Sequence, residues 1–477
     1  MGTELELKLE LDPRNAGSVA KQALSGGAEQ RTRREVSVYY DTAAGKLRKK
    51  GYTLRVRSTP EGFTQTLKTA ETGAGLFFRG EWEKPVKSIE PYVEALEDTP
   101  AAHIATKKLK PFIRAEVDRT IWQRQVNGSL LEFAFDQGAL HASGRKAPVL
   151  ELEIELLDGR PEAAFDAARD LAESLPVKIG VLSKAERGFA LADGALSKPT
   201  KALPVPVHQA MNVADGFAVI AQSCLKHFRH NEPVILTTRD PAALHQARVA
   251  MRRLRSALSL FRPAIADQEF ERLREELRWF TGQLGEARNL DVYLGRDLPE
   301  ELREGLTAQR ELAYDNVIEA LHSKRFRLLM IAVVRWIALG EWRSSDKASR
   351  PLPEFGRRRV DRLWHKLIAH ENLRSMDDEG RHEVRIEIKK LRYALEFLQA
   401  LHAGAVGTQK QFLKAVESLQ ETLGDLNDIV TARDFASAGV PHQSDPNMEP
   451  ALIKKAQRRF RRLKNMGAYW SDPQDNF

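Results

Sequence analysis

Carboxylates and a lysine alternate with leucines at the start of the chain, in the segment ELELKLEL at residues 4–11. In a β-strand, Glu4, Glu6, Lys8 and Glu10 would share one face, because successive side chains of a strand point to opposite sides. One interpretation is a sheet face exposed to water, which is ordinary for an antiparallel sheet. The other is a face that binds charged ligands, since fixed acids and bases can hold ions between them.

The same two-residue period recurs through the first 190 residues, separated by turn-rich pieces such as TAAGK, TPEG and VNGS. We therefore predict a mostly antiparallel sheet of about eight strands. Each predicted strand has polar or charged side chains on one face. These are Arg55 with Arg57; Thr64 and Thr66 with Lys68; Arg79 with Glu81 and Glu83; Arg114 with Glu116 and Asp118; Glu132 with Asp136; and Glu151 with Glu153 and Glu155.

Six or more strands with both signs of charge favour the lining of a closed barrel over a solvated face. The opposite faces carry Leu, Val, Ile, Phe and Trp, which helices would cover. A charged lumen is costly unless ions fill it. The first half is therefore predicted to hold a charged ligand.

The second half has a different period and a different charge. Residues 198–207 are rich in proline and predict a linker, and beyond them the period becomes 3.6. We predict an α+β protein of two domains, a sheet domain at 1–197 and an all-α domain at 208–477. The first 197 residues contain equal numbers of basic and acidic side chains, so the remainder carries the whole charge of +8. A basic half suggests a polyanionic partner.

The sequence also predicts a compartment. The single cysteine, Cys224, excludes an internal disulfide framework and fits a reducing environment. No apolar run approaches the length of a membrane span, and the first residues do not form a signal peptide. We expect a cytoplasmic protein that does not bind membranes.

The helical half contains an internal repeat, with copies at about 208–340 and 341–477. HQARVAMRRLRSALSLF, at 245–261, aligns with HEVRIEIKKLRYALEFL, at 382–398. On a helix the basic residues of each copy fall in one stripe about 80° wide, opposite an apolar stripe. The candidate anion ligands are His245, Arg248, Arg252, Arg253 and Arg255 in the first copy, and His382, Arg385, Lys389, Lys390 and Arg392 in the second.

A solvated basic face is the alternative for these helices. The first copy has no acid between residues 245 and 262, whereas the second admits Glu383, Glu387 and Glu396. Few aromatic residues are present for base stacking, so inorganic polyphosphate is favoured over nucleic acid, and no sequence-specific nucleic-acid binding is expected. The basic segment RRFRRLKN at 458–465 either extends this surface or is merely solvated.

The first half resembles the CYTH domain, the triphosphate tunnel metalloenzyme fold. The resemblance rests on Glu-x-Glu-x-Lys at 4–8, YYDT at 39–42, LRVR at 54–57, TLK at 66–68, RGEWE at 79–83, the glutamate triplet at 151–155 and SKAERG at 183–188. The second half is similar to a CHAD domain, which has paired histidine-led basic helices. These resemblances imply an eight-stranded antiparallel tunnel with flanking helices, followed by helical bundles that bind polyphosphate.

The CYTH resemblance also implies a triphosphate site with Mg²⁺ or Mn²⁺. Carboxylates supply the hard oxygen ligands that these metals accept, and arginine and lysine clamp phosphate oxygens. The implied metal ligands are Glu4, Glu6, Glu151, Glu153 and Glu155. The implied triphosphate ligands are Lys8, Arg55, Arg57, Lys68, Arg79, Arg114 and Lys184. Lys8, Glu81 and Glu83 are the implied catalytic residues, with either glutamate orienting the attacking water.

Three functions remain open from the sequence. The first is an inorganic triphosphatase whose helical half binds polyphosphate, with an association with polyphosphate granules as one expectation. The second is a polyphosphate-binding protein with little or no turnover. The third is an adenylate cyclase, for which the sequence shows no adenine-pocket signature.

Overall fold

A computed structural model describes residues 5–12, 17, 29–69, 80–104, 108–296, 298–437 and 448–470. The chain forms two compact units, each discontinuous along the sequence. The first comprises Met1–Ala202, Ala221–Arg252 and Ala266–Glu341, and the second Leu203–Ile220, Arg253–Ile265 and Trp342–Phe477. The sheet thus shares a unit with the first helical repeat. The domain limits at residues 197 and 208 stay a prediction.

The first unit is built on one antiparallel sheet. Its strands are β1 Glu6–Leu11, β2 Arg31–Thr42, β3 Tyr52–Thr59, β4 Gly62–Thr69, β5 Glu81–Val86, β6 Leu109–Val126, β7 Ser129–Ala142, β8 Arg145–Asp158 and β9 Val177–Ile179. The order across the sheet is β5-β4-β3-β2-β6-β7-β8-β1-β9, with every neighbouring pair antiparallel.

The predicted antiparallel sheet is confirmed, but its strand number and its closure are wrong. The described residues form nine strands, and β5 and β9 each have a single neighbour, so the sheet is open. The additional strand, β9, has only three residues, which are too few to show alternation in the sequence. Pro85 lies in β5, an edge strand, where a missing N–H is tolerated.

A row of ion pairs connects the strands of the open sheet. Arg57 on β3 lies 3.7 Å from Glu35 on β2, and Arg119 on β6 lies 3.7 Å from the same carboxylate. Arg119 also lies 2.6 Å from Glu153 on β8, two strands away. The pKa of Arg57 is lowered, chiefly by Arg55 and by burial, while Glu35 and Glu153 oppose that shift. Charged side chains from β3 to β8 are therefore linked by direct contacts.

Helices cover the apolar side of this sheet. Leu7, Leu9, Leu152 and Ile154 are fully buried, as the alternation predicts. Among the described residues of the sheet region lie the helices α1 Lys46–Lys49, α2 Glu162–Ser174 and α3 Lys184–Ala192. Helix α2 packs on β1 and β8, and α3 packs on β6, β7 and β8.

Beyond residue 212 the described regular structure is helical. The helices are α4 Val213–Thr238, α5 Pro241–Ile265, α6 Phe270–Leu294, α7 Glu300–His322, α8 Lys324–Leu339, α9 Leu352–Ile368, α10 Asp378–Phe397, α11 Val406–Ser437 and α12 Met448–Met466. The aligned segments of the two repeats, 245–261 and 382–398, lie on α5 and α10. Their predicted apolar stripes are buried, including Met251 and Leu254 in the first and Ile388 and Leu391 in the second. Within the described residues, no helix combines the length and apolarity needed to cross a bilayer.

Candidate functional site

The strand register places the predicted charged residues of most strands on one face of the sheet, here called the polar face. Residues directly paired in an antiparallel ladder share a face. The polar face follows from the pairs Glu6–Glu155, Lys8–Glu153, Asp136–Glu151, Arg119–Asp136, Ser37–Arg57, Arg55–Thr66, Thr66–Glu83 and Lys68–Glu81.

Three carboxylates form a cluster on the polar face, on the neighbouring strands β7 and β8. Asp136, Glu151 and Glu153 each offer an oxygen within 4.8 Å of the others. The side chains of Asp136 and Glu151 are completely buried, and that of Glu153 is 13% exposed. Buried like charges at this separation persist only when cations compensate them.

Lys184, Arg119 and Lys8 supply those cations. The Lys184 ammonium lies 2.7 Å from Asp136 and 2.9 Å from Glu153, and it also contacts Glu151. Arg119 donates two hydrogen bonds to Asp136, at 2.7 and 2.6 Å, and one to Glu153 at 2.6 Å. Lys8 lies 3.1 Å from Glu153. The cluster is therefore a dense alternation of charges.

These contacts shift the pKa values of Glu153, Asp136 and Lys184. Burial would raise the pKa of Glu153, but Lys184, Arg119 and Lys8 outweigh it and lower that pKa well below its usual value. The pKa of Asp136 is lowered for the same reason. Burial would lower the pKa of Lys184, yet the three carboxylates raise it well above its usual value. The site thus keeps both signs ionised in a buried place.

Local structure aims Lys184 at the carboxylates. Helix α3 begins with a capping box, in which Ser183 and Glu186 bond each other's backbone N–H groups. Lys184 is therefore the first residue of the helix, beside the sheet. A Cβ at Gly188 would lie 2.5 Å from Ile113, so glycine is needed for α3 to pack this closely on β6.

A second group of charges lies on β3, β4 and β5. Lys68 lies 2.9 Å from Glu81, and Arg55 lies 3.9 Å from both Glu81 and Glu83. Burial would lower the pKa of Arg55, but Tyr39, Glu81 and Glu83 raise it. Arg57 lies 3.7 Å from Glu35 on β2. With Arg119 also 3.7 Å from Glu35, the two groups meet on the polar face.

The structure brings most, though not all, of the predicted residues together. Lys8, Arg55, Arg57, Lys68, Glu81, Glu83, Glu151, Glu153 and Lys184 lie on or against the polar face, with Glu6 and Glu155 beside Lys8 on β1 and β8. Glu4 and Arg79 lie outside the described residues.

Arg114 does not share the polar face. It pairs with Val38 in the ladder, is half exposed, and lies 2.6 Å from Glu116 on its own strand. Arg119, five residues later, occupies the face assigned to Arg114. Sequence reasoning therefore missed Arg119, and it noted Asp136 as an aligned acid without assigning it a role. Arg119 precedes Thr120 on β6, and Asp136 ends the segment AFD on β7. Because both faces of β6 carry charged residues, the two-residue period alone cannot identify which face is the polar face.

Asp136, Glu151 and Glu153 fit a divalent cation. They offer the carboxylate oxygens that Mg²⁺ and Mn²⁺ prefer. Glu151 Oε1 contacts Lys184 without accepting a well-formed hydrogen bond among the described residues, which leaves it a candidate ligand. Glu6 is 30% exposed and lies 3.3 Å from Lys8, at the margin of the cluster.

A separate basic group occupies the first helical repeat. His245, Arg248 and Arg252 lie on α5, and Arg288 of α6 lies near them. Burial, Arg288, Arg252 and Arg248 together lower the pKa of His245. Burial, Arg252 and Arg288 lower the pKa of Arg248, whose guanidinium donates to the Gly285 carbonyl at 2.9 Å. We call these four residues the basic cluster. Sequence reasoning missed Arg288, which lies outside the aligned stretch.

Arg253 has a structural role instead. It is 7% exposed, forms an ion pair with Glu396, and places its guanidinium 4.9 Å from the centre of the Phe397 ring. Arg253 is therefore buried among other side chains and does not lie on the predicted basic stripe. The cation–π contact and the buried ion pair stabilise its charge.

The second copy is partly neutralised by its own acids. Arg392 donates to Glu396 at 2.6 Å and to Gln420 at 2.7 Å. His382 lies 2.7 Å from the Asn427 side-chain oxygen. Arg385 and Lys389 lie half-buried on α10, and Lys390 is exposed. The two copies therefore share a sequence pattern and differ in charge balance.

Comparison with known families divides the chain in two. Residues 2–189 match the CYTH domain, and residues 219–437 match the CHAD domain. The two matches follow one another along the chain, in the order that the sequence pattern predicts.

Individual relatives match different lengths of the chain. An inorganic triphosphatase of Haemophilus influenzae is 30% identical over 193 residues, covering 39% of this chain and 54% of that protein. The chain thus matches about half the length of that relative. An uncharacterised protein of Mycobacterium tuberculosis is 25% identical over 437 residues, covering 83% of this chain and 80% of that one. The crystal structure of the CHAD domain from the plant Ricinus communis is 26% identical, covers 57% of this chain and 94% of that chain, and has a TM-score of 0.45.

Proposed function

We propose that this chain, a CYTH domain followed by a CHAD domain, hydrolyses inorganic triphosphate on its polar face with a divalent metal. The observation that carries the proposal is the polarity of that face. A buried carboxylate cluster lies on β7 and β8, and the cations Arg55 and Arg57 lie next to each other on β3, towards the other edge of the sheet. Arg119 contacts Glu35 beside the second group and Glu153 in the carboxylate cluster, which supports one site for a complex of metal and triphosphate.

Each group has a role in this proposal. Asp136, Glu151 and Glu153 would hold Mg²⁺ or Mn²⁺, with Glu6 and Glu155 beside them. The metal would neutralise phosphate charge and so make the phosphorus open to attack by water. The triphosphate ligands of the chain are Lys8, Arg55, Arg57, Lys68, Arg119 and Lys184.

Glu83 is the better candidate for orienting water. Its side chain is half exposed, and Thr66 donates a hydrogen bond of 2.8 Å to one of its oxygens. Glu81 is 14% exposed and its oxygens lie near Lys68 and Arg55. Lys68 and Arg55 lower the pKa of Glu81 although burial would raise it. An exposed, oriented carboxylate suits water activation better than one committed to two cations.

The relatives support this activity over the alternatives. The Haemophilus protein is an inorganic triphosphatase, and its match covers the sheet half of this chain. Phosphate release should be measured with triphosphate, ATP, pyrophosphate and long-chain polyphosphate, with and without metal. Release from triphosphate only with Mg²⁺ or Mn²⁺ supports the proposal. No release from triphosphate would favour the binding protein with little turnover.

One substitution separates catalysis from binding. Glu153→Gln should abolish turnover if the carboxylate holds a catalytic metal, whereas a pure binding protein would change its affinity only slightly. Glu116→Gln is the matched control, because Glu116 lies on the opposite face of the sheet and pairs with Arg34 and Arg114. Loss of activity in the control would indicate a general effect on the sheet.

We further propose that the helical region binds inorganic polyphosphate at the basic cluster. Arg255 and the basic residues of the second copy stay predicted ligands. The specific observation is that burial and the neighbouring arginines lower the pKa of both His245 and Arg248, so a bound anion would stabilise their charged forms. Calorimetry with polyphosphate, in the presence and absence of duplex DNA at equal phosphate concentration, tests this. Equal competition by the DNA would contradict a preference for polyphosphate.

A further inference from the structure

Helix α4 presents three charged side chains at successive three-residue intervals, Lys226, Arg229 and Glu232. The Arg229 guanidinium lies 2.6 Å from Glu10 on β1, and the Lys226 ammonium lies 3.0 Å from Glu186 on α3. Strand β1 carries Lys8, and α3 begins at Lys184. One helix from the CHAD match therefore contacts both elements that present lysines to the carboxylate cluster.

Arg229 is the centre of a buried ionic network. It is 6% exposed and forms ion pairs with Glu10 and with the completely buried Glu232. Lys178 on β9 lies 2.8 Å from Glu232 and pairs with Glu10 in the strand ladder. The network thus contains two basic and two acidic side chains, although burial and Arg229 lower the pKa of Lys178 to about 7. A guanidinium can bridge two carboxylates in this way because its donors form a fixed fork, which an ammonium lacks.

Glu10 connects this network to the proposed site. It lies on the polar face two residues after Lys8, and it pairs directly with Glu151 across the ladder. Paired Cβ atoms are about 5 Å apart, so the two carboxylates repel each other unless cations intervene. Arg229 neutralises Glu10, while Arg187 lies 3.3 Å from Glu151. Without Arg229, an extra negative charge would face the cluster.

Lys226 contacts the start of α3 in a similar manner. Its partner Glu186 accepts hydrogen bonds from the backbone and the hydroxyl of Ser183, at 2.8 and 2.9 Å. That carboxylate is part of the capping box that begins the helix at Lys184. Lys226 therefore supports the cap that directs Lys184 to the sheet.

We infer that helix α4 is a positioning element of the triphosphate site, with Arg229 fixing the charge and place of β1 and Lys226 fixing the start of α3. The inference rests on the proposed function, since it concerns the same site. It assigns Arg229 no contact with substrate. It means that part of the CHAD region is required for the binding strength of the CYTH face.

The test is a double-mutant cycle in the full chain. Arg229→Met removes the guanidinium that forms the ion pair with Glu10, and we expect metal-free affinity for triphosphate, measured by calorimetry, to fall about tenfold. KM for triphosphate should rise by a similar factor with a smaller change in kcat. Adding Glu10→Gln removes the carboxylate that Arg229 neutralises, so affinity should return to within about threefold of the parent.

Further variants test whether Arg229→Met acts only by destabilising the protein. Arg229→Lys keeps the positive charge without the fork of N–H donors, so its affinity for triphosphate should lie between those of the parent and Arg229→Met. Glu10→Gln alone removes one negative charge and should strengthen triphosphate binding. Arg239→Met is the control, because Arg239 follows α4 and forms its ion pairs with Glu311 and Asp315.

The outcomes distinguish this inference from the proposed function. If the parent protein binds triphosphate but releases no phosphate, the proposed function fails and the binding cycle still tests the inference. If Arg229→Met binds triphosphate as tightly as the parent, or if Glu10→Gln fails to restore its affinity, Arg229 does not position the site. If Arg239→Met weakens binding equally, the effect is a general loss of stability.

Discussion

Arg119 and Arg114 offer a sharp test, because they lie on the same strand and face opposite sides of the sheet. Arg119 is 12% exposed and makes three hydrogen bonds of 2.6–2.7 Å to Asp136 and Glu153. Arg114 is 51% exposed and pairs with Glu116. Replacing each arginine with methionine keeps much of the side-chain volume and removes the charge.

The structure gives an expected size for each effect. Removing one partner of a buried ion pair costs about 3–5 kcal/mol, because the remaining charge is left uncompensated. An exposed pair such as that of Arg114 contributes less than about 1 kcal/mol. Loss of a cation that stabilises developing phosphate charge commonly lowers kcat about 100-fold or more. We therefore expect kcat/KM for triphosphate to fall at least about 100-fold in Arg119→Met, and less than about threefold in Arg114→Met.

The assay is steady-state phosphate release with saturating Mg²⁺, combined with thermal unfolding of each variant. Arg119→Lys controls for loss of activity through unfolding, since it keeps one positive charge beside Asp136. Its rate of phosphate release and its thermal stability should both lie between those of the parent and Arg119→Met. Equal losses from the two methionine variants would refute the assignment of faces. Full activity of a folded Arg119→Met protein would refute the role of Arg119 itself.

Three other predictions concern linkage and the basic cluster. Because carboxylates and cations share the polar face, Mg²⁺ should tighten triphosphate binding and triphosphate should tighten Mg²⁺ binding by the same factor; calorimetry in both orders that finds no coupling would contradict the shared site. Arg288→Gln should weaken polyphosphate binding about fivefold at low salt, whereas Arg278→Gln, an exposed arginine of the same helix, should not; equal affinities of the two variants would exclude Arg288 from the cluster. The pKa of His245 is lowered in the free protein, and a bound anion must raise it, so binding takes up a proton and affinity should increase as the pH falls through the range between the two values. His245→Asn should remove this dependence, as measured by calorimetry in buffers of different ionisation enthalpy, and an unchanged pH dependence would assign it to another group.

The sequence predicted the polar face best where one side of a strand is purely apolar. On β1, Leu7 and Leu9 are completely buried and the intervening Lys8 reaches the carboxylate cluster, as alternation requires. On β6 the rule fails, because the strand has 18 residues and carries charges on both faces, at Arg114 and at Arg119. Alternation identifies two faces but cannot say which is inner when both are charged.

The open edge of the sheet and the helix contacts could not be predicted in the same way, and the predicted closure was wrong. Sheet closure depends on strand tilt and register across the whole sheet, and no short segment encodes it. The contact between Arg229 and Glu10 joins residues 219 positions apart. Neither residue stands out locally, since Arg229 lies in an ordinary helix and Glu10 ends an alternating run. Only the fold brings this pair beside the carboxylates.

The pairing of acids with bases compensates the buried charges of the polar face, and under the proposed function it would also allow ligands of both signs to bind there. Lys184 and Arg119 hold Asp136 and Glu153 ionised, so the site is already charged and needs no proton transfer when ligands enter. Under the proposed function, Asp136, Glu151 and Glu153 would hold the metal ion, and the cations beside them would bind phosphate oxygens. Ligands of both signs would together change the buried charge little, whereas either ligand alone would leave one sign in excess. The same reasoning explains why both signs alternate along the strands: a face of one sign alone would be unstable in the absence of ligand.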